Sequence, residues 1–361
     1  MQLRPFATSL ENQAPRILGA FFCAHVLLVS SGCNKKGTPD WDTPGGKTPA
    51  AAAAIAPSAL TPAPIEPEIP TAEETPVLQE TGAAATSTDA LRFIAYNVEN
   101  WLTMDRYVEG KNLKGAPKPD SEKKAVVELL ARHAPDILGL CEIGEATDLA
   151  EIQEQLKAAG LDLPHTHYTG GSDPTRHLGL LSRFPITSTA KPAQTEYQLA
   201  GKTFAINRGI LDATVEARGK SYRFLGLHLK SKRDSEQGDQ EVIRLNEARL
   251  LRRHIDSIFK ENPDARLVVY GDLNDTRATS AIKTITGKYN DPTYLTAIPA
   301  KDSRNDAWTH HWALHDIYSR IDFIMVSPEM RKDVKFSAAK IIDDAGWDKA
   351  SDHRAILAVF R

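Results

Sequence analysis

From about residue 89 onward the sequence alternates between short apolar runs and longer stretches whose apolar residues recur at helical spacing. Residues 91–101 begin apolar and close on polar residues, the pattern of a strand ending at a surface. A basic loop carrying Gly110, Gly115, Pro117 and Pro119 follows. Ser121 then suits a helix cap, and Ala125, Val126, Leu129 and Leu130 share one helical face before Pro135. Residues 136–142 read as a buried strand closing on Glu142, and 147–159 as a second helix. Strand patterns at 177–183, 203–215 and 222–229 lead into a long amphipathic helix at about 240–259. Residues 267–272 are apolar and rich in β-branched side chains, which predicts a buried strand ending at Asp272. Residues 276–285 suit a short helix, 308–312 a loop, and 320–326 and 354–360 the last strands. The mixture predicts an α/β body spanning residues 89–361.

The front of the chain follows neither period. Residues 17–32 are almost wholly apolar and follow Arg4 and Arg16. The run is short for a bilayer span of ~20 residues and suits a signal-peptide core. Small residues then precede Cys33, so residues 1–33 are expected to be a signal peptide with a lipoprotein processing site at Cys33. A lipid anchor there would tie the protein to a membrane. The corresponding location is the outer membrane or cell surface, or otherwise the periplasm or medium. Residues 34–88 are mostly Pro, Ala, Thr and Glu, with almost no aromatics after Trp41, and are expected to form a disordered tether.

Composition adds little to this division. The chain has 361 residues and a formal net charge of -3, so no global basic field announces nucleic acid, although local basic patches remain possible in such a chain. Of three cysteines, only Cys141 lies in the body, where it ends an apolar run and reads as a buried thiol. Nothing implies a protein partner.

The polar residues that close the apolar runs carry the candidate chemistry. Asp272 and Asn274 lie two residues apart, and in extended chain both point to one side. A carboxylate that accepts, beside an amide that donates and accepts, suits a phosphate near a hard cation or an attacking water. Tyr-Asn-Val-Glu-Asn at 96–100 and Glu142 precede this pair, as does Gly-Leu-His-Leu-Lys at 226–230. Gly-Asp-Leu-Asn-Asp at 271–275, Arg-Ile-Asp-Phe at 320–323 and Ser-Asp-His-Arg at 351–354 complete the series. In this order the set resembles the endonuclease/exonuclease/phosphatase superfamily, which includes DNase I-like nucleases, abasic-site endonucleases, neutral sphingomyelinases and inositol polyphosphate 5-phosphatases. The resemblance covers residues 89–361 and is strongest to the secreted, nuclease-like bacterial branch.

The resemblance implies a four-layer α/β/β/α sandwich of two mixed sheets, DNase I-like, with its site where strand ends converge. It implies Mg²⁺ as cofactor, with Mn²⁺ or Ca²⁺ as alternatives. Glu142 resembles the principal metal ligand, with Asn97 beside it and Asp352 near the metal or its waters. Asp272 and Asn274 resemble the pair that orients the attacking water and holds the phosphate. His353 resembles the essential histidine, with Asp322 fixing its tautomer, and His228 a second histidine on the phosphate. Arg176, Arg208 and Lys230 are candidate contacts to a phosphodiester backbone.

The implied function is a metal-dependent phosphoesterase, foremost a cell-surface or secreted nuclease. A phosphomonoesterase or a sphingomyelinase-like lipid phosphodiesterase is the alternative. Tyr270 and Thr276 replace the Trp and Arg of the inositol phosphatase motif, and no apolar membrane-binding hairpin stands out. The run Trp308–Trp312, with His310 and His311, reads as an ordinary loop and not as a metal centre. A non-catalytic surface-binding lipoprotein is the remaining alternative, which an intact set of polar site residues argues against.

Overall fold

A computed structural model describes residues 90–108, 110–233 and 238–361. The signal segment, Cys33 and the 34–88 tether lie outside the described residues. The apolar runs of the body pair into two six-stranded mixed sheets. Their strands are β1 (Leu91–Trp101), β2 (Ile137–Ile143), β3 (His165–Thr169), β4 (His177–Ser182), β5 (Ile186–Thr189) and β6 (Ile210–Ala217). They continue with β7 (Lys220–His228), β8 (Leu267–Asp272), β9 (Thr296–Ala297), β10 (Asp322–Val326), β11 (Lys340–Ile341) and β12 (Ile356–Phe360). One sheet runs β11-β12-β1-β2-β4-β3 and the other β9-β10-β8-β7-β6-β5. Each is built on a parallel pair, β1 with β2 and β7 with β8, flanked by antiparallel neighbours.

The two-residue period of a strand sorts its side chains into separate layers. Phe93 and Ala95 of β1 join the core between the sheets, whereas Ile94, Tyr96 and Val98 face the helices α1 (Asp120–His133) and α2 (Ala146–Ala158). In β8, Val268 and Tyr270 enter the inter-sheet core, while Leu267 and Val269 pack under α3 (Gln240–Glu261) and α4 (Ser280–Thr286). Strands buried on both faces need continuous apolar runs, which is what residues 267–270 supply. The result is the four-layer α/β/β/α sandwich.

Aromatic rings fill the space between the sheets. The Phe93 ring lies 4.9 Å from Phe224 and 5.0 Å from Tyr270, centroid to centroid. Full burial of one such side chain contributes about 1.5–3 kcal/mol. Two glycines make room for Tyr270: a Cβ on Gly139 would lie 2.1 Å from its ring, and one on Gly226 2.6 Å from its hydroxyl. Cys141 is buried and its Sγ donates to the Leu227 carbonyl at 3.2 Å, as a core thiol.

The structure corrects several local expectations. Helix α1 is capped by Pro119, and Ser121 lies inside its first turn. Proline is tolerated there because the first turn's N–H groups lack intrahelical acceptors anyway. The loop after β1 contains a hairpin, Met104–Val108 paired with Lys111–Ala116. The run 203–215 is divided: Lys202–Ala205 pairs with Glu196–Leu199, and the chain turns at Gly209 before β6. Gly209 has φ +77°, and a Cβ there would meet the Gly170 carbonyl at 2.3 Å, so the break follows from close backbone approach. The stretch 308–312 is not a loop throughout, because His310–Trp312 pairs with Ile317–Ser319. The turn of that hairpin includes Asp316 in the left-handed region at φ 50°, which the alternation along the strands did not reveal.

Candidate active site

Register, more than any local signal, assembles the site. Across β7, β8 and β10 the pairs His228↔Asp272 and Asp272↔Asp322 set three polar side chains abreast in one row of the second sheet. The first sheet supplies Asn97 and Glu142 from the ends of its parallel pair. The register slips between Cys141 and Ile143, and Glu142 in that bulge has φ 65°. Glu99 and Asn100, at φ 48° and 57°, make a matching irregularity at the end of β1. Bulges of this kind re-aim a side chain at the edge of a sheet, and the left-handed conformation costs a residue with a side chain about 1–2 kcal/mol. Asn274 at φ 50° is a further case.

Asn97 joins the two sheets. Its Nδ2 lies 3.2 Å from Glu142 Oε1 and 3.2 Å from Asp272 Oδ2, while its Oδ1 accepts the Glu99 N–H at 3.0 Å. Asn97 therefore stands beside Glu142 as expected but turns donors, not its oxygen, towards the carboxylates. In this arrangement Asn97 holds Glu142 in place, and its side-chain amide stands within reach of the expected metal position. The second oxygen of Glu142 accepts the Asn100 N–H at 2.9 Å.

His353 is the most constrained group. Its Nδ1 lies 2.8 Å from Asp322 Oδ2, and its Nε2 faces Asp272 Oδ2 at 3.7 Å. Ser351 Oγ accepts the His353 N–H and donates to the Asn97 carbonyl, pinning this segment to β1. Burial opposes a charge on the ring, but the carboxylates of Asp322, Asp272 and Asp352 outweigh it and hold the imidazole pKa well above its usual range. The ring is an imidazolium at neutral pH. Burial, reinforced by the charge of Asp322 and opposed by His353, pushes the Asp272 carboxyl up to about 7. Asn274 orients that carboxylate, with its N–H 2.9 Å from Oδ1 and its Nδ2 3.3 Å from Oδ2.

His228 sits in the same cluster with opposite electrostatics. Its Nε2 is 3.4 Å from Asp272 Oδ2 and 3.8 Å from Glu142 Oε1, and its Nδ1 has no partner. Burial, then the charges of Arg208, His353, Arg176 and Lys230, keeps it well below the usual histidine range. It is neutral, and the tautomer protonated on Nε2 is the one that meets these acceptors.

The three cations form a wall beside His228. Arg176 Nε donates to Asn100 Oδ1 at 2.9 Å. Arg208 is buried, and its Nε lies 3.2 Å from Asp173 Oδ2, yet it lacks hydrogen-bond alignment. The distance marks a charge contact, while Nε and Nη1 remain donors without acceptors. Glu247, wholly buried, accepts the N–H groups of Asn207 and Lys230 and so fixes the backbone that carries the wall. Asn100, Asp173 and Glu247 escaped the sequence reading. Only Asn100 lies in a motif, and the other two announce themselves solely through what they hold in three dimensions.

Asp352 lies at the rim, half exposed, with its N–H donating to Glu99 Oε2 at 3.0 Å. Burial opposes its ionisation, but the charges of His353 and His310 hold it below the usual carboxylate range. Burial and the charge of Asp352 push the Glu99 carboxyl up to about 7.

A model of the endonuclease/exonuclease/phosphatase family matches residues 111–353. The chain belongs to this family. Its members are phosphoester hydrolases that depend on divalent metal. The matched residues include all the expected site residues but Asn97. A comparison with curated proteins finds no match. Among solved structures, the chain is similar to the endonuclease/exonuclease/phosphatase from Bacteroides vulgatus, at 19% identity and a TM-score of 0.54, covering 75% of this chain and 98% of that one. It is similar to the human nocturnin catalytic domain with bound sulfate, at 17% identity and TM-score 0.54, with 75% and 94% covered. A beta toxin variant from Staphylococcus aureus with bound magnesium ions gives 15% identity and TM-score 0.52, with 75% and 99% covered. At such identities the likeness is one of fold.

The residues present fit the family's metal. Asp272, Asp322 and Asp352 face the His353 ring, Glu142 and Glu99 stand beside them, and burial with neighbouring carboxylate charge pushes Asp272 and Glu99 up to about 7. A divalent cation would offset that surplus. Glu142, partly exposed at its strand end, and Asp352 at the rim are sparse oxygen donors of the kind Mg²⁺ uses with water and substrate phosphate.

Proposed function

We propose that the protein is a metal-dependent phosphodiesterase whose substrate is nucleic acid, working as a nuclease at the cell surface or outside the cell. The observation that carries the reading is the Asp322–His353–Asp272–Asn274 array set against a wall of cations whose Arg208 donors lack acceptors. Buried donors without partners are costly, and a phosphate oxygen satisfies them. Arg176, Arg208 and Lys230 hold the phosphodiester backbone without reading sequence. His353, held charged by Asp322, donates from Nε2 to a phosphoryl oxygen as negative charge builds there. Asp272, with a carboxyl near 7, takes a proton from the attacking water, and Asn274 keeps its oxygens aimed. Neutral His228 donates from Nε2 on the other side. A divalent cation held by Glu142, with Asp352 at its waters, would neutralise charge on the phosphoryl group.

One feature supports a second reading, a lipid phosphodiesterase. Contrary to the sequence expectation, an apolar hairpin is present: Trp312, Leu314, Ile317 and Tyr318 are 45%, 81%, 47% and 50% exposed. The hairpin springs from His310, which pairs with His353. Clustered exposed apolar side chains mark interaction surfaces.

The full-length protein assayed with Mg²⁺ or Mn²⁺ against plasmid DNA, RNA, sphingomyelin vesicles and inositol phosphates separates the readings. DNA or RNA is expected to be cut, with Glu142→Gln at least about 10²-fold slower, since metal-borne charge stabilisation supplies several kcal/mol. Full activity in excess EDTA would overturn the mechanism. Hydrolysis of sphingomyelin alone, lost in Trp312→Ser/Leu314→Ser, would replace the nuclease reading with the lipid one.

A further inference from the structure

The His310 side chain has no part in the chemistry above, yet it stands beside two residues that do. Its Nε2 lies 3.7 Å from Asp352 Oδ2, and His353 Nε2 lies 3.8 Å from Asp352 Oδ1. The two imidazole rings are 4.6 Å apart, and one donor atom from each of the three residues lies within 4.8 Å of the others. Their backbones are laced together. His310 and His353 form a β-bridge, the His311 N–H donates to the Asp352 carbonyl, and the Arg354 N–H donates to the Thr309 carbonyl.

We propose that His310, Asp352 and His353 form a second cation site, sharing Asp352 with the Mg²⁺ position, which takes a borderline transition metal such as Zn²⁺ and silences the enzyme by occupying His353 Nε2. Two imidazole nitrogens and one carboxylate oxygen are the donors of a zinc site, whereas Mg²⁺ takes oxygen. Tetrahedral zinc with Zn–N of about 2.0–2.1 Å sets its ligands roughly 3.3 Å apart. Each imidazole faces its own oxygen of Asp352, at 3.7 and 3.8 Å, and one ligand atom from each residue lies within 4.8 Å of the others, so side-chain rotation brings both nitrogens and one carboxylate oxygen onto one ion. The outer contact is already made: His353 Nδ1 donates to Asp322 Oδ2 at 2.8 Å, as a metal-bound histidine ordinarily does to a carboxylate. That contact directs the Nε2 lone pair at the site once the metal displaces its proton. The other convergent group, Asp272, Asp322 and His353, is a poorer candidate, because Asp322 there is spent on the His353 hydrogen bond.

The loss of activity rests on the phosphoesterase reading, but zinc affinity does not, so calorimetry tests the site even if no substrate is cut. Untagged full-length protein titrated with Zn²⁺ is expected to bind one ion that His310→Ala weakens at least ten-fold, with Co²⁺ giving an absorption band that the variant loses. His311→Ala, whose ring stacks on Tyr318 at 4.2 Å, is the control for the hairpin and should bind as the parent does. In the hydrolysis assay with Mg²⁺, the zinc concentration for half-inhibition should rise at least ten-fold in His310→Ala while its rate without zinc is kept. Equal affinity in the parent and His310→Ala, or equal losses in both variants, would overturn the proposal.

Discussion

Three carboxylates offset the burial that would otherwise remove the His353 proton, and Asp322, which also takes the 2.8 Å hydrogen bond from Nδ1, contributes most among them. The two residues should therefore behave as a unit. His353→Ala is expected to lower the single-turnover rate by about 10²–10⁴-fold, the range of a positioned acid or base. Asp322→Asn should cost less, since the ring stays in place and only its charge and tautomer change. The double variant should be little slower than His353→Ala, as groups acting together are far from additive. Multiplying losses in the double variant would separate the residues. Circular dichroism should show the fold retained in all three.

At the scale of elements, the site exists because two sheets approach closely enough for Asn97 to reach Asp272 across them. Gly139 and Gly226 permit that approach around the Tyr270 ring. Gly139→Ala would place a methyl carbon 2.1 Å from a ring fixed in the core, where neither backbone nor ring has room to yield. Urea unfolding is expected to show a loss of about 1–3 kcal/mol or more, the cost of overpacking. Activity should fall along with it, because the β2 end that carries Glu142 must move. A variant as stable as the parent would mean that the sheets are less tightly registered than Tyr270 implies.

For the whole molecule, export rests on the front of the chain alone. Among the described residues no helix is long and apolar enough to cross a membrane, and the proposed lipid anchor at Cys33 is tested by fractionation. Cells producing the full chain should hold it in a membrane fraction, and Cys33→Ser should release it or block its processing. A mature N-terminus mapped well downstream of Cys33 would remove the anchor. An enzyme tethered at a membrane would also bring the Trp312–Tyr318 hairpin within reach of lipid, which gives the substrate panel its interest.

Periodicity by itself determined the long strands and the four longer helices of the body, because strands buried on both faces must be written as continuous apolar runs such as residues 267–270. It left out short edge strands such as His165–Thr169 and Ile186–Thr189. Polar residues at the ends of those runs marked Glu142, Asp272 and Asn274, and the family resemblance of the ordered motifs joined His228, Asp322 and His353 to them as a set. The layering came from a resemblance, not from spacing, and local geometry was beyond both. The turn at Gly209 arises from a backbone approach to Gly170, the irregularities at Glu142 and Asn100 are positive-φ residues at strand ends, and the hairpin at His310–Ser319 is too short for its alternation to show. Only the tertiary structure decided that Asn97 turns its donors to the carboxylates, that Glu247 and Asp173 support the cationic wall, and that His310 stands against Asp352 and His353. Each of these depends on a through-space distance of a few ångströms between residues tens to hundreds of positions apart. Chain order carries no record of such distances until the sheets have closed.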